Sequence, residues 1–100
     1  MKPVSKPAPK FRGAPLDLVV DVRSKVEFWL GHLPGAECIP VDQIPDAITG
    51  RADLSETTRI LVYCASGARS AAAAACLKAA GYRNVVDGGG IAAASEHFTA

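Results

Sequence analysis

The sequence predicts an α/β domain of three layers, a mainly parallel sheet flanked by helices. Short β-branched runs at 16–22 and 59–63 suit strands buried on both faces. An alanine-rich run at 70–80 has the composition of a helix. Strand-like and helix-like segments alternate along the chain, and parallel neighbours need such crossover connections. A chain of 100 residues fits one domain, and 49% apolar against 21% charged residues is the balance of a globular protein.

Residues 1–15 hold four of the seven prolines and the basic residues Lys2, Lys6, Lys10 and Arg12, with no acidic residue. This predicts a flexible, basic, proline-rich arm over 1–15 and a domain over 16–100. Leu16–Val22 reads as the first strand. Ser24 is placed to cap a helix over Lys25–Leu30, and Gly31 stops it. The stretch from Leu33 to Ala36 is turn chemistry, followed by a brief strand at Cys38 and Ile39. Between Val41 and Thr58 the residues Ile44, Ala47 and Ile48 sit at helical spacing before Gly50, which predicts one short helix. Arg59–Tyr63 is the central strand. Ser70–Ala80 is the clearest helix, closed by Gly81. Asn84–Val86 reads as a last strand, Gly88–Gly90 as a turn, and Ile91–Ser95 as a short terminal helix.

Charge and composition exclude several functions. Net charge is +1, but four of the 11 basic residues precede Pro15, leaving seven against ten acidic ones in the domain. No basic face for nucleic acid is expected. The chain lacks both the apolar run of a secretory signal and the roughly 18 apolar residues of a membrane span, so a cytoplasmic location without membrane partners is the default. Cys38, Cys64 and Cys76 are odd in number and lack CxxC spacing, and His32 and His97 lie far apart. Neither a disulfide framework, a metal site nor a cofactor is expected.

Parallel sheets place their chemistry at the carboxyl ends of strands. Cys64 stands there, between the best strand and the best helix, in the loop Cys64-Ala65-Ser66-Gly67-Ala68-Arg69-Ser70. Free N–H groups and the positive end of the helix dipole favour a thiolate, as does Arg69 if the loop curls back. Such settings bring a cysteine from ~8.5 to roughly 3.5–7.5. The small residues from Ala65 to Ala68 let the backbone form a nest of N–H donors, and Gly67 tolerates positive φ. No general-base histidine adjoins the cysteine, and the nest makes one unnecessary. Cys38 and Cys76 read as small core residues. Asp21, Arg23 and Glu27 read as a network bracing the loop, and His32 as a turn stabiliser. Gly88–Gly90 lacks the spacing of a phosphate loop.

The Cys64 loop followed by Ser70-Ala71-Ala72-Ala73 resembles the active-site loop of rhodaneses. Two further stretches agree: Asp21-Val22-Arg23 with Glu27 and Phe28, and Gly31-His32-Leu33-Pro34-Gly35-Ala36 with Ile39-Pro40. Leu77, Gly81-Tyr82, Val85 and Gly88-Gly89 follow in the family's order, so the likeness spans 16–94. Many relatives have a further strand and helix before the Asp-Val-Arg motif and a tryptophan where this chain has Ala93 or Ala94. The resemblance implies a sulfurtransferase without cofactor or metal. Cys64 would take a sulfur from a small anionic donor such as thiosulfate or a mercapto acid, or from a protein persulfide carrier, hold it as a persulfide and pass it to cyanide or a thiol. Amides from Ala65 to Arg69 would hold the persulfide, Arg69 would draw the donor, and Ser70, Asp21 and Arg23 would support the loop. The chain is expected as a monomer or weak homodimer. The alternative is a non-catalytic rhodanese module that binds a partner or senses sulfur or redox state. Cysteine phosphatases of related architecture need five residues between cysteine and arginine. Four separate Cys64 from Arg69, a loop sized for one sulfur atom.

Overall fold

The computed structural model describes residues 8–100. Its elements run β1 (Lys10–Phe11), β2 (Ala14–Pro15), β3 (Leu18–Asp21), α1 (Lys25–Leu30) and β4 (Glu37–Cys38), then a 3-10 turn over Val41–Gln43 and α2 (Asp46–Thr49). β5 (Arg59–Cys64), α3 (Ala68–Ala79), β6 (Asn84–Gly90), α4 (Ile91–His97) and β7 (Phe98–Thr99) follow. Four strands form the central sheet in the order β4-β3-β5-β6, every neighbouring pair parallel.

Side-chain alternation along β3 and β5 divides the core in two. Leu18, Val20, Val22, Ile60, Val62 and Cys64 pack toward α2 and α3 against Ile48, Ala73, Ala74 and Leu77. Val19, Leu61 and Tyr63 face the other way, onto Phe11, Leu16, Leu33 and Ala94 of α4. A sheet covered on both faces explains the unbroken apolar runs in the sequence. The three-layer α/β architecture with a parallel sheet is the one the sequence predicts.

Helix α1 is held differently. It buries no residue, and Val26, Trp29 and Leu30 are 68%, 83% and 77% exposed. What fixes it is polar: Ser24 and Glu27 form a reciprocal capping box. His32 Nδ1 lies 2.8 Å from Phe28 O, and its ring stacks on that of Phe28 at 3.6 Å.

Three boundaries differ from the sequence reading. Residues 1–7 of the expected arm lie outside the described residues, but residues 10–15 join the domain. β1 and β2 form a tight hairpin whose other neighbour is β7. Its two turn residues, Arg12 (φ 52°) and Gly13 (φ 80°), have the left-handed backbone that two-residue hairpins use. Phe11 is buried at 6% exposure against the α4 side of the sheet. Gly88–Gly90 is no turn, because β6 continues through it. The pairing shifts between Val62 and Cys64 so that Cys64 lies opposite Gly90. Helix α3 starts at Ala68, two residues before the expected Ser70, since its cap is Gly67.

Candidate active site

Cys64 ends β5, and its side chain shares the α3 face with Ile60 and Val62. Gly67, at φ 105°, turns the chain into α3. That conformation is left-handed and suits glycine. A helix start leaves its first amides unpaired, and a cap side chain ordinarily accepts from one of them. Gly67 has no side chain to do so, and the Cys64 sulfur takes the role. Gly67 N donates to Sγ at 2.9 Å, and Ser70 N donates at 3.3 Å.

The sulfur has no exposed surface of its own. Burial pushes the Cys64 thiol up, but hydrogen bonds from Ser70, Gly67 and Ser66 outweigh it, and the thiol ends below its ordinary range. The Ser70 hydroxyl already donates to Gly67 O at 3.0 Å, so the amides are the donors that matter. Within the predicted nest Gly67 N is the amide that meets the sulfur, and Ser70 N joins it from the first turn of α3.

Arg69 does not hang free over the loop. Its Nη1 and Nη2 donate to the two carboxylate oxygens of Glu27 at 2.7 and 3.0 Å. Glu27 Oε1 also accepts from Ser24 N at 3.1 Å and Ser24 Oγ at 3.0 Å. Arg69, then the Ser24 amide, hold the Glu27 carboxyl down at about 2. The sequence reading gave Arg69 a donor-attracting role and Glu27 a part in bracing the loop, and the structure joins the two across 42 residues.

Asp21 and Arg23 stand at the end of β3 and touch each other rather than the sulfur. Asp21 accepts from Arg23 N, Nε and Nη2 at 2.7–3.0 Å, and Arg23 Nη2 also donates to Gly31 O at 2.6 Å. This buried pair ties the C-terminal end of α1 to the sheet, and α1 carries Glu27 to Arg69. Tyr63 adds a second tie by accepting from Leu33 N at 3.0 Å.

Gly90 is a site residue the sequence reading missed. A Cβ there would stand 2.6 Å from Ala65 O, so β6 passes directly against the loop. Its place in a Gly-Gly-Gly run hid the signal behind that of a turn. Cys38 and Cys76 are half-buried rather than core, with sulfurs near Arg23 O and Ile44 O. Among the described residues no three or more His, Cys, Asp or Glu side chains gather as a metal site, and no helix is long and apolar enough to cross a membrane. A cavity of about 340 Å³ lined by Phe11, Arg12, Val86 and His97 shares no residue with the Cys64 loop.

The pattern of the rhodanese-like domain matches residues 8–94. The chain belongs to the rhodanese-like domain family. A protein of Allochromatium vinosum named sulfurtransferase is 36% identical over 81 residues, covering 80% of this chain and 73% of that protein. The probable adenylyltransferase/sulfurtransferase MoeZ of Mycobacterium tuberculosis is 40% identical over 68 residues, or 68% of this chain. The chain spans only 17% of the length of MoeZ. Among solved structures, one from Anabaena sp. superposes with a TM-score of 0.72 at 29% identity, covering 84% of this chain and 74% of that one. The putative sulfur carrier protein YrkF of Bacillus subtilis is 32% identical over 69 residues, covering 69% of this chain and 36% of that protein.

Proposed function

We propose that this chain moves a sulfane sulfur from a donor to a thiophilic acceptor through a persulfide on Cys64. The observation that carries the reading is the pair of main-chain N–H groups aimed at the sulfur from 2.9 and 3.3 Å. In the first half-reaction the Cys64 thiolate attacks the outer sulfur of a donor such as thiosulfate. The donor's S–S bond breaks, its electron pair leaves on sulfite, and Cys64 carries a persulfide anion. In the second, cyanide or a thiolate attacks that outer sulfur and departs as thiocyanate or a new persulfide. The electron pair of the broken S–S bond returns to Cys64. This is covalent catalysis with ping-pong kinetics, and neither half requires a proton to move.

The amides of Ala68 and Arg69 are the first two of α3, and helix geometry leaves them without intrahelical partners. They receive the charge of the outer sulfur. Cys64 has no exposed surface, so a donor reaches the sulfur only when the residues that cover it move aside. That same burial favours a second reading, a module that docks a partner without turnover.

One experiment separates the two. Incubation with thiosulfate is expected to add one sulfur atom to the intact mass, and cyanide to remove it, in wild type and not in Cys64→Ala. Equal thiosulfate-to-cyanide rates for both proteins would remove the enzymatic reading.

A further inference from the structure

Charges around the sulfur do not add up to an anion-binding site. Arg69 is the cation nearest the loop, and both terminal nitrogens of its guanidinium are committed to Glu27 at 2.7 and 3.0 Å. Glu27 is anchored independently of Arg69, since it closes the capping box of α1 through Ser24 N and Ser24 Oγ. The carboxylate is therefore a fixture of helix α1. Arg23, at the end of β3, is likewise paired with Asp21 at 2.7 Å. With Cys64 as thiolate, Glu27, Arg69 and Cys64 together carry one net negative charge.

We propose that Glu27 is a specificity-determining residue that cancels Arg69 and turns the site against small dianionic donors, favouring sulfur delivered as a persulfide on a thiol carrier. This rests on the sulfurtransferase reading and narrows its donor class. A free dianion such as thiosulfate approaches a net negative site with two charges to repel. A persulfide on a thiol carries at most one, and its bulk stays outside the loop. The transfer itself balances: the Cys64 thiolate attacks the outer sulfur of R–S–SH, and the S–S bond breaks with its electron pair leaving on the carrier sulfur. The terminal S–H proton passes to that carrier thiolate, which leaves Cys64 as the persulfide anion. Main-chain dipoles stabilise the persulfide in either case, so the charge pair sets which donor arrives rather than what happens to it.

Glu27→Gln tests this because Oε1 survives. The amide oxygen keeps the bonds from Ser24 N, Ser24 Oγ and Arg69 Nη1, while the charge and the bond from Arg69 Nη2 are lost. Loading of Cys64 is followed by intact mass with two donors, thiosulfate and the persulfide of 2-mercaptoethanol. For thiosulfate, KM is expected to fall roughly fivefold with kcat held within about twofold, the size of one charge removed a few ångströms from a dianion near a protein surface. For the monoanionic persulfide the change is expected to be about the square root of that, since repulsion scales with the donor's charge. In 1 M salt, where screening acts over about 3 Å, the gain for thiosulfate is expected to disappear. A variant that merely loosened α1 would change both donors alike and ignore salt. Equal factors for the two donors, or no change for either, would overturn the proposal while leaving the sulfurtransferase reading intact. A wild-type protein that loads from neither donor would overturn both.

Discussion

Gly90→Ala asks whether β6 sets the shape of the sulfur cradle. The backbone at Gly90 has φ −72° and ψ 150°, which any residue adopts, so no conformational demand explains glycine there. Space does. A Cβ would stand 2.6 Å from Ala65 O, 3.3 Å from Ala65 C and 3.4 Å from Ser66 Cα, all main-chain atoms that cannot swing aside alone. Reaching ordinary contact near 3.4 Å needs a displacement of about 0.8 Å, taken by β6 or by the loop. Passed to the loop, that shift would carry Gly67 N and Ser70 N away from a sulfur they now meet at 2.9 and 3.3 Å. The overpacking is expected to cost roughly 1–3 kcal/mol of stability. A misplacement approaching 1 Å is expected to slow persulfide formation roughly 100-fold. Quenched intact-mass kinetics measure the loading, the pH dependence of alkylation gives the thiol midpoint, and urea unfolding gives the stability. Gly88→Ala is the packing control, because its Cβ would meet Leu61 Cδ1 at 3.0 Å and Val62 O at 3.2 Å, neither of them an atom of the 65–69 loop. A Gly90→Ala protein with wild-type loading rate and wild-type thiol midpoint would refute the reasoning.

Two further outcomes follow from the site. The Cys64 thiol is held below its ordinary range, so its alkylation midpoint is expected under the ~8.5 of a free cysteine. Because the folded state has the lower pKa, the linked stabilisation is complete above the unfolded thiol's pKa and is lost as pH falls through the folded value. Cys64→Ala is expected to lose that pH dependence in thermal unfolding, and a wild-type midpoint at or above ~8.5 would contradict the amide cradle. Tyr63→Phe removes the oxygen that accepts from Leu33 N at 3.0 Å between two buried residues. It is expected to cost roughly 1–3 kcal/mol in urea unfolding with the slope unchanged, and a loss under about 0.5 kcal/mol would show that water satisfies Leu33.

What the sequence made legible was whatever a single run of residues determines. Arg59–Cys64 is apolar enough to be a doubly covered strand, and the alanines of α3 permit its approach to the sheet, so the position of Cys64 between them could be read directly. Ser24 reads as the cap of α1 and is found there, with Glu27 completing the capping box. The missing parts depend on distant residues. The β1–β2 hairpin has only two residues per strand and places Arg12, rather than the usual asparagine, in the first left-handed position of its turn, so nothing local announced it. β6 reached Gly90 because β5 shifts its pairing, which no glycine count reveals. The sequence placed Glu27 with Asp21 and Arg23 in a network bracing the loop, but its particular partner Arg69 lies 42 residues away and no local pattern names it.

The sulfur's place at the head of α3 couples the fold to the proposed chemistry. The N–H groups of Gly67 and Ser70 bind a thiolate better than a thiol, so starting the helix and keeping Cys64 anionic favour each other. Adding a second sulfur alters this balance without moving Cβ. The formal charge passes from Sγ to the outer atom, so the bonds from Gly67 and Ser70 weaken as those from Ala68 and Arg69 become the ones under load. Return of the electron pair reverses the exchange. On the proposed mechanism the four amides at positions 67–70 act as two alternating pairs, and the charge moves by one S–S bond length. A fifth residue between Cys64 and Arg69 would widen the loop and move the amides at the head of α3 away from Sγ, so the persulfide reading depends on the four-residue spacing.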